Sequence, residues 1–388
     1  MIELGVMENS DIKKERMFRF LVVLTIGSFT GLQAWRTLFN NFAVEVANLD
    51  GWHIGIIQSV REIPGFLALL AIFLIMIIKE HRLSALSILT LGLGVGLTGF
   101  FPTYTGLIFT TMLMSFGFHY YETTNQSLTL QYFDQKISPW VFGKLRSYAA
   151  ATNIGVGLII YLVSSYLTYT QMFLFIGLAI AGIGLWGIVQ NPTRQDIVPQ
   201  RKKMILRRKY GLYYFLTFMA GARRQIFIAF AVFLLVKKFE FTVQEITILF
   251  VVNNLINFFL TPMIGKAIIY FGERKILSVE YGTLILVFIA YAFVESRWIV
   301  TTLYIVDHIV FNFSIAIRTY FQKVGDPRDI APTMAVGFTI NHIAALVIPA
   351  LGGLVWMLDY RIPFLAGAVM SVISLIAVQW IRLKPINQ

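Results

Sequence analysis

The sequence predicts an all-α membrane protein: twelve transmembrane helices in two pseudo-symmetric six-helix bundles. Three observations predict it. Hydrophobic residues make up 57% of the 388 residues and charged residues only 13%, with a mean hydropathy of +0.72; soluble domains carry about 25% charged residues. Apolar runs of about 20 residues, long enough to cross a bilayer as helix, recur along the whole chain with short polar breaks. Finally, the chain repeats itself. Arg36-Thr-Leu-Phe-Asn-Asn-Phe-Ala-Val44 returns as Arg224-Gln-Ile-Phe-Ile-Ala-Phe-Ala-Val232, an offset of 188 residues, and the same offset pairs Gln131-Tyr132-Phe133 with Thr319-Tyr320-Phe321 and Asn153 with Asn341.

In order, the first half reads as spans at 18–47, 53–78, 83–101, 105–132, 141–167 and 170–190. The second half reads as spans at 210–236, 243–270, 276–294, 298–322, 331–357 and 362–381. A β-barrel would need alternating segments of about 10 residues, and these runs are continuous and too long for that. The first apolar stretch also exceeds the core of a cleavable signal, about 7 to 15 residues, so it is expected to remain as a span. Domains follow: 1–190 as one bundle, 191–209 as a basic linker, 210–388 as the other bundle.

Orientation follows from the 32 Lys and Arg. With both termini in the cytoplasm, 23 fall on cytoplasmic segments, four on outer loops (Lys237, Lys238, Arg297, Arg361) and five inside spans. That is the positive-inside pattern, so the net charge of +12 expresses topology and calls for no nucleic-acid partner. The densest block, Arg201-Lys-Lys203 and Arg207-Arg-Lys209, would lie near anionic lipid. No cysteine is present, which excludes disulfides, thiol chemistry and cysteine-ligated metal. Expected is a multi-pass monomer of the plasma (cytoplasmic) membrane, without cofactor or resident metal.

Two repeated halves, short outer loops and a basic central linker resemble the major facilitator superfamily along nearly the whole chain. A local element is similar too: Gly265-Lys-Ala-Ile-Ile-Tyr-Phe-Gly272-Glu-Arg274-Lys275 resembles the family's cytoplasmic loop motif, two glycines seven apart followed by basic residues. The acidic residue that the family places four after the first glycine is Ile269 here. Gly143-Lys-Leu-Arg146 resembles the start of the fifth helix in proton-coupled sugar and nucleoside symporters. The resemblance implies two bundles around a central cavity that opens alternately to either side, with Gly265, Gly272 and Arg274 in gating. It names no solute, because one fold hosts many.

Function must come from charges inside the spans, each costing about 2.5 to 3.5 kcal/mol at mid-bilayer on insertion scales. Thr30, Gln33, Arg36 and Asn40 recur every three or four residues and form one polar stripe on the first span. His119, Glu122, Gln126 and Thr129 do the same on the fourth, and Asp307, Ser314 and Arg318 on the tenth. Adjacent Arg61 and Glu62 point about 100° apart. Arg223 and Arg224 pose the same choice, and the repeat favours Arg224, which falls on Arg36. Two guanidinium groups at equivalent places would hold an anion from both sides, a layout resembling organophosphate antiporters. Expected solute-binding residues are Arg36, Gln33, Asn40, Arg61, Arg224, Asn153, Asn341 and Tyr120. The alternative is internal neutralisation, Arg36 by Glu122 or Glu62 and Arg224 by Asp307.

Glu62, Glu122 and Asp307 are the carboxylates able to exchange coupling protons, and His119, His308 and His342 the histidines able to relay them. The reading is a secondary active transporter of a small anionic or zwitterionic organic solute, working by alternating access with protons as coupling ion. A polyspecific exporter of drugs or amphiphiles is the alternative, and a divalent metal carrier the second. No catalytic motif of a hydrolase or phosphate-binding enzyme occurs, so an enzyme is not expected.

Overall fold

The computed structural model describes residues 15–382, and every regular element among them is helical. The termini, on which the expected orientation rests, lie outside the described residues. The helices are α1 (Arg16–Glu45), α2 (Gly51–Phe66), α3 (Ala71–Ile77), α4 (Glu80–Thr98), α5 (Tyr104–Tyr132), α6 (Ser138–Val163) and α7 (Tyr169–Val189). There follow α8 (Gly211–Ile226), α9 (Val232–Lys237), α10 (Val243–Phe271), α11 (Glu273–Phe293), α12 (Arg297–Phe311), α13 (Ile315–Val324), α14 (Ile330–Leu358) and α15 (Arg361–Val378). Among the described residues, eight helical stretches are long and apolar enough to cross a membrane. The chain is a multi-pass membrane protein. α5 falls outside those eight, its length carrying His119, Glu122, Asn125, Gln126 and Gln131.

Three of the expected spans are broken. Pro64 lacks an N–H and crowds the preceding turn; α2 ends two residues later and passes through a 3₁₀ turn, Leu67–Leu70, into α3. Two of the backbone groups at the break share one side chain. Thr339 Oγ1 donates to the Phe66 carbonyl at 2.9 Å and accepts from Leu69 N–H at 2.9 Å, the repair that a non-aqueous surrounding requires. A π-helical turn, Phe227–Ala231, joins α8 to α9, and a 3₁₀ turn, Asn312–Ser314, joins α12 to α13.

The chain forms two compact units. Within the described residues, unit 1 comprises 15–134, Tyr148–Ile205 and Pro327–Thr339; unit 2 comprises Gln135–Ser147, Leu206–Asp326 and 340–382. Unit 1 is built on close backbone approach. A Cβ at Gly94 of α4 would stand 2.3 Å from Met114 N of α5, and one at Gly177 of α7 2.3 Å from Gly96 Cα. Small residues let helices touch where lipid offers no hydrophobic drive. Buried polar contacts add direction: Tyr121 and Thr25 share a 2.7 Å hydrogen bond, and Thr124 donates to Ser84 at 2.9 Å. Unit 2 instead packs aromatics, with Phe227, Phe230, Phe288, Tyr291, Tyr304 and Phe364 in one cluster. There a Cβ at Gly265 of α10 would meet the Pro139 carbonyl of α6 at 2.4 Å.

Thr339→Val should cost about 1 to 3 kcal/mol, because a backbone carbonyl and an N–H lose their shared partner; a fall in melting temperature in detergent measures it. Gly94→Ala and Gly282→Ala should move in opposite directions. The first overpacks two backbones at about 1 to 3 kcal/mol. The second meets nothing within 4 Å and gains up to about 1 kcal/mol of helix propensity.

Candidate solute and coupling site

Unit 2 holds the densest buried charge. Arg223 is 3% exposed, and so are Glu280 of α11 and Asp307 of α12. Arg223 Nη2 lies 3.8 Å from Glu280 Oε1, its Nη1 donates to Ser374 Oγ of α15, and its guanidinium lies over the Tyr281 ring at 4.4 Å. The three charged residues line one small pocket together with Arg224, Phe311 and Ser314. The π turn begins at Phe227 on its wall, and the second 3₁₀ turn ends at Ser314. Two helix breaks therefore fall at the pocket, a frequent place for irregular helix.

Arg224, one residue on, is half-buried and projects elsewhere around α8. Its guanidinium lies over Phe311 at 4.8 Å, and Arg146 of α6 lies over the same ring at 5.8 Å. Beside them runs a chain of amides: Asn312 Nδ2 donates to Asn257 Oδ1 at 2.8 Å, and Asn257 Nδ2 lies 2.9 Å from His308 Nε2. This order directs an N–H at Nε2, so His308 accepts there. A proton taken up at that nitrogen would require the Asn257 amide to turn over.

The other expected residues of unit 2 are spread out. Asn341 Nδ2 donates to the Thr217 carbonyl at 3.4 Å, and a Cβ on Gly221 would stand 2.7 Å from the Asn341 carbonyl, so this asparagine holds α14 against α8. His342 follows it, half-buried. Arg318, beyond the 3₁₀ break, lies over Phe142 at 5.6 Å.

In unit 1, Arg61 Nε and Nη2 both donate to Glu62 Oε1, at 3.1 and 2.7 Å, and the Arg61 guanidinium is 5.2 Å from the Trp35 ring. The adjacent pair thus closes on itself. Gln33 donates along α1 to Thr37 at 3.1 Å, while Arg36 and Asn40 are exposed. His119 is buried, its ring edge-on to Phe118 at 5.2 Å and to Phe338 at 5.8 Å. Tyr120 donates to the Leu67 carbonyl at 3.4 Å, and Glu122 and Asn153 are half-buried.

No protein-family model matches the chain, and no curated protein matches its sequence. Solved structures do match. FucP in the outward conformation superposes with a TM-score of 0.75 at 14% identity, covering 95% of this chain and 99% of that one; a variant of the same protein is described as the E. coli fucose:proton symporter. The human organic anion transporter MFSD10 (TETRAN) gives 0.74 at 9% identity, over 94% and 99%. A bacterial homologue of the iron transporter ferroportin, outward-facing, gives 0.74 at 13%, over 94% and 98%. The fold is that of the major facilitator superfamily.

The segment Gly265–Lys275, which resembles the superfamily's loop motif in sequence, has its own local geometry. Gly272 ends α10 at φ +80°, a left-handed value suited to glycine, and Glu273 opens α11. Glu273 is fully buried and pairs with Lys323 of α13 at 2.7 Å, while Arg274 donates to Gln379 Oε1 at 3.1 and 3.0 Å. The motif's charges thus join the start of α11 to α13 and to the end of α15. Sequence reasoning misses Glu273 in this role, and it misses Glu280. The signal for Glu280 is present, since a carboxylate inside the expected span 276–294 carries the same cost as Asp307.

Arg223→Met should destabilise the protein by about 3 to 5 kcal/mol, because two buried carboxylates lose their guanidinium. Adding Glu280→Gln should restore part of that loss. Melting temperatures of the single and double variants check the sign of the coupling.

Proposed function

We propose that this chain is a secondary transporter of a small anionic or zwitterionic organic solute. In this reading two six-helix bundles, 1–190 and 210–388, are joined by the linker 191–209 and expose the solute alternately to either side, with protons as the coupling ion. One observation carries the choice of solute: Arg146 and Arg224 flank a single phenyl ring, Phe311, next to the amides of Asn257 and Asn312. Two guanidinium groups supply forked donors for a carboxylate or phosphate, and the ring offers an apolar face to an organic body. The same arrangement opposes a divalent cation at His308. Among the structures that share the fold, MFSD10 is described as an organic anion transporter and FucP as a fucose:proton symporter, which suits the reading.

In this proposal Arg224 and Arg146 grip the anion, Arg36, Gln33 and Asn40 form the polar stripe of unit 1, and Arg61, Asn153 and Tyr120 lie on the same unit. A thermal-shift screen of purified protein against organic carboxylates and phosphates, divalent metals and lipophilic cations tests it, because a ligand that prefers the folded state raises the melting temperature. Stabilisation by an organic anion is expected. Arg224→Gln and Arg146→Gln should each weaken it by about 1.5 to 3 kcal/mol, roughly 10- to 150-fold in Kd. Stabilisation by lipophilic cations alone, unchanged in both variants, would give the polyspecific exporter; stabilisation by divalent metal alone would give the metal carrier.

A further inference from the structure

The stretch from Arg201 to Tyr210 is fastened at both ends and in the middle. Arg201 N–H donates to the Arg328 carbonyl at 2.8 Å, and its guanidinium pairs with Asp329. Tyr210 is buried; its hydroxyl accepts from Asp326 N–H at 3.0 Å, and its ring meets Phe321 edge-on at 5.1 Å. Between these anchors Ile205 is buried, while Met204 is 57% and Leu206 68% exposed. Alternation of this kind is what an extended chain gives, since successive side chains point to opposite faces, and Arg207 has the extended values φ −99° and ψ 134°. Two bulky apolar side chains therefore share the outward face of a fastened stretch.

Lys202, Lys203, Arg208 and Lys209 are exposed beside that pair, and residues 202–209, Lys-Lys-Met-Ile-Leu-Arg-Arg-Lys, include no acid. Gly211 opens α8 directly afterwards, so Leu206 lies within about 17 Å of extended chain from the start of the seventh expected span. An apolar pair among cations at the foot of a membrane helix matches the interface of a leaflet with anionic headgroups, which attracts Lys and Arg and accepts apolar side chains at the acyl boundary. We propose that residues 202–209 are a lipid-docking surface: Met204 and Leu206 enter the leaflet, and Lys202, Lys203, Arg208 and Lys209 meet the phosphate groups of anionic phospholipid. An acidic protein or a soluble phosphate would answer the cations and leave the apolar pair in water. Because the stretch is already fastened at Arg201, Ile205 and Tyr210, docking costs little further ordering of the backbone. It involves neither the charged pocket of unit 2 nor a solute, and it stands whatever the chain carries.

The chain contains no cysteine, so Met204→Cys provides one attachment point for a nitroxide label in the full-length protein, and Leu206→Cys provides a second. Each labelled protein is placed in nanodiscs of phosphatidylcholine, with or without phosphatidylglycerol. Relaxation of the label by oxygen, which concentrates in lipid, is compared with relaxation by a water-soluble nickel chelate. With phosphatidylglycerol the label should gain oxygen contact and lose nickel contact; with phosphatidylcholine alone it should stay open to nickel. The protection should weaken in high salt and vanish when Lys202, Lys203, Arg208 and Lys209 are all changed to Gln. The pairs Lys202→Gln/Lys203→Gln and Arg208→Gln/Lys209→Gln should each remove part of it, which serves if the fourfold variant does not assemble. Inorganic phosphate added to phosphatidylcholine nanodiscs should leave the label open to nickel. A label equally open to nickel in both lipids, one buried alike in both and indifferent to the charge changes, or one protected by inorganic phosphate alone would overturn the proposal.

Discussion

A charge in the membrane interior must be solvated by the protein itself, and that constraint organises unit 2. Arg223 cannot reach water from its buried place on α8, so Ser374, Tyr281 and Glu280 stand where water would. Those partners come from α11 and α15, so three helices are held by the need to surround one guanidinium. Asp307 brings α12 to the same pocket. Replacing such a cluster by apolar residues could leave the bundle as stable, since burying ion pairs costs about as much as their attraction returns.

The helix breaks answer to the same shortage of water. Where Pro64 ends α2, a threonine from a distant part of the chain covers the orphaned carbonyl and N–H. Where α12 gives way to α13, the Asn312 side chain donates to the His308 carbonyl at 3.0 Å while also holding Asn257. At these two breaks a side chain stands in for solvent.

The units also differ in how they pack. Unit 1 brings backbones together through glycines of α4 and α7, which leaves little freedom for sliding. Unit 2 fills its interior with stacked rings around the charged pocket, including Phe227 on Tyr304 at 5.1 Å and Tyr291 on Phe364 at 5.1 Å. The interiors of the two units thus differ in what fills them, with close glycine approaches in unit 1 and a ring cluster beside buried charge in unit 2.

Composition and periodicity alone determined that this chain is helical, membrane-spanning and internally repeated, because hydropathy and the 3.6-residue turn are local properties. They also marked Arg224, Asp307 and His308 as costly residues in need of partners. Which partners they meet was settled only by tertiary packing. The repeat singled out Arg224 over Arg223, yet it is Arg223 that packs among the acids, since neighbours about 100° apart face different helices and only packing says which helices those are. Arg61 and Glu62 look like rivals for one direction in sequence and bond to each other in space. Asn341 reads as a solute ligand and spends its amide on α8. Glu280 and Ser374 come to Arg223 from separate helices, and no local pattern encodes that meeting.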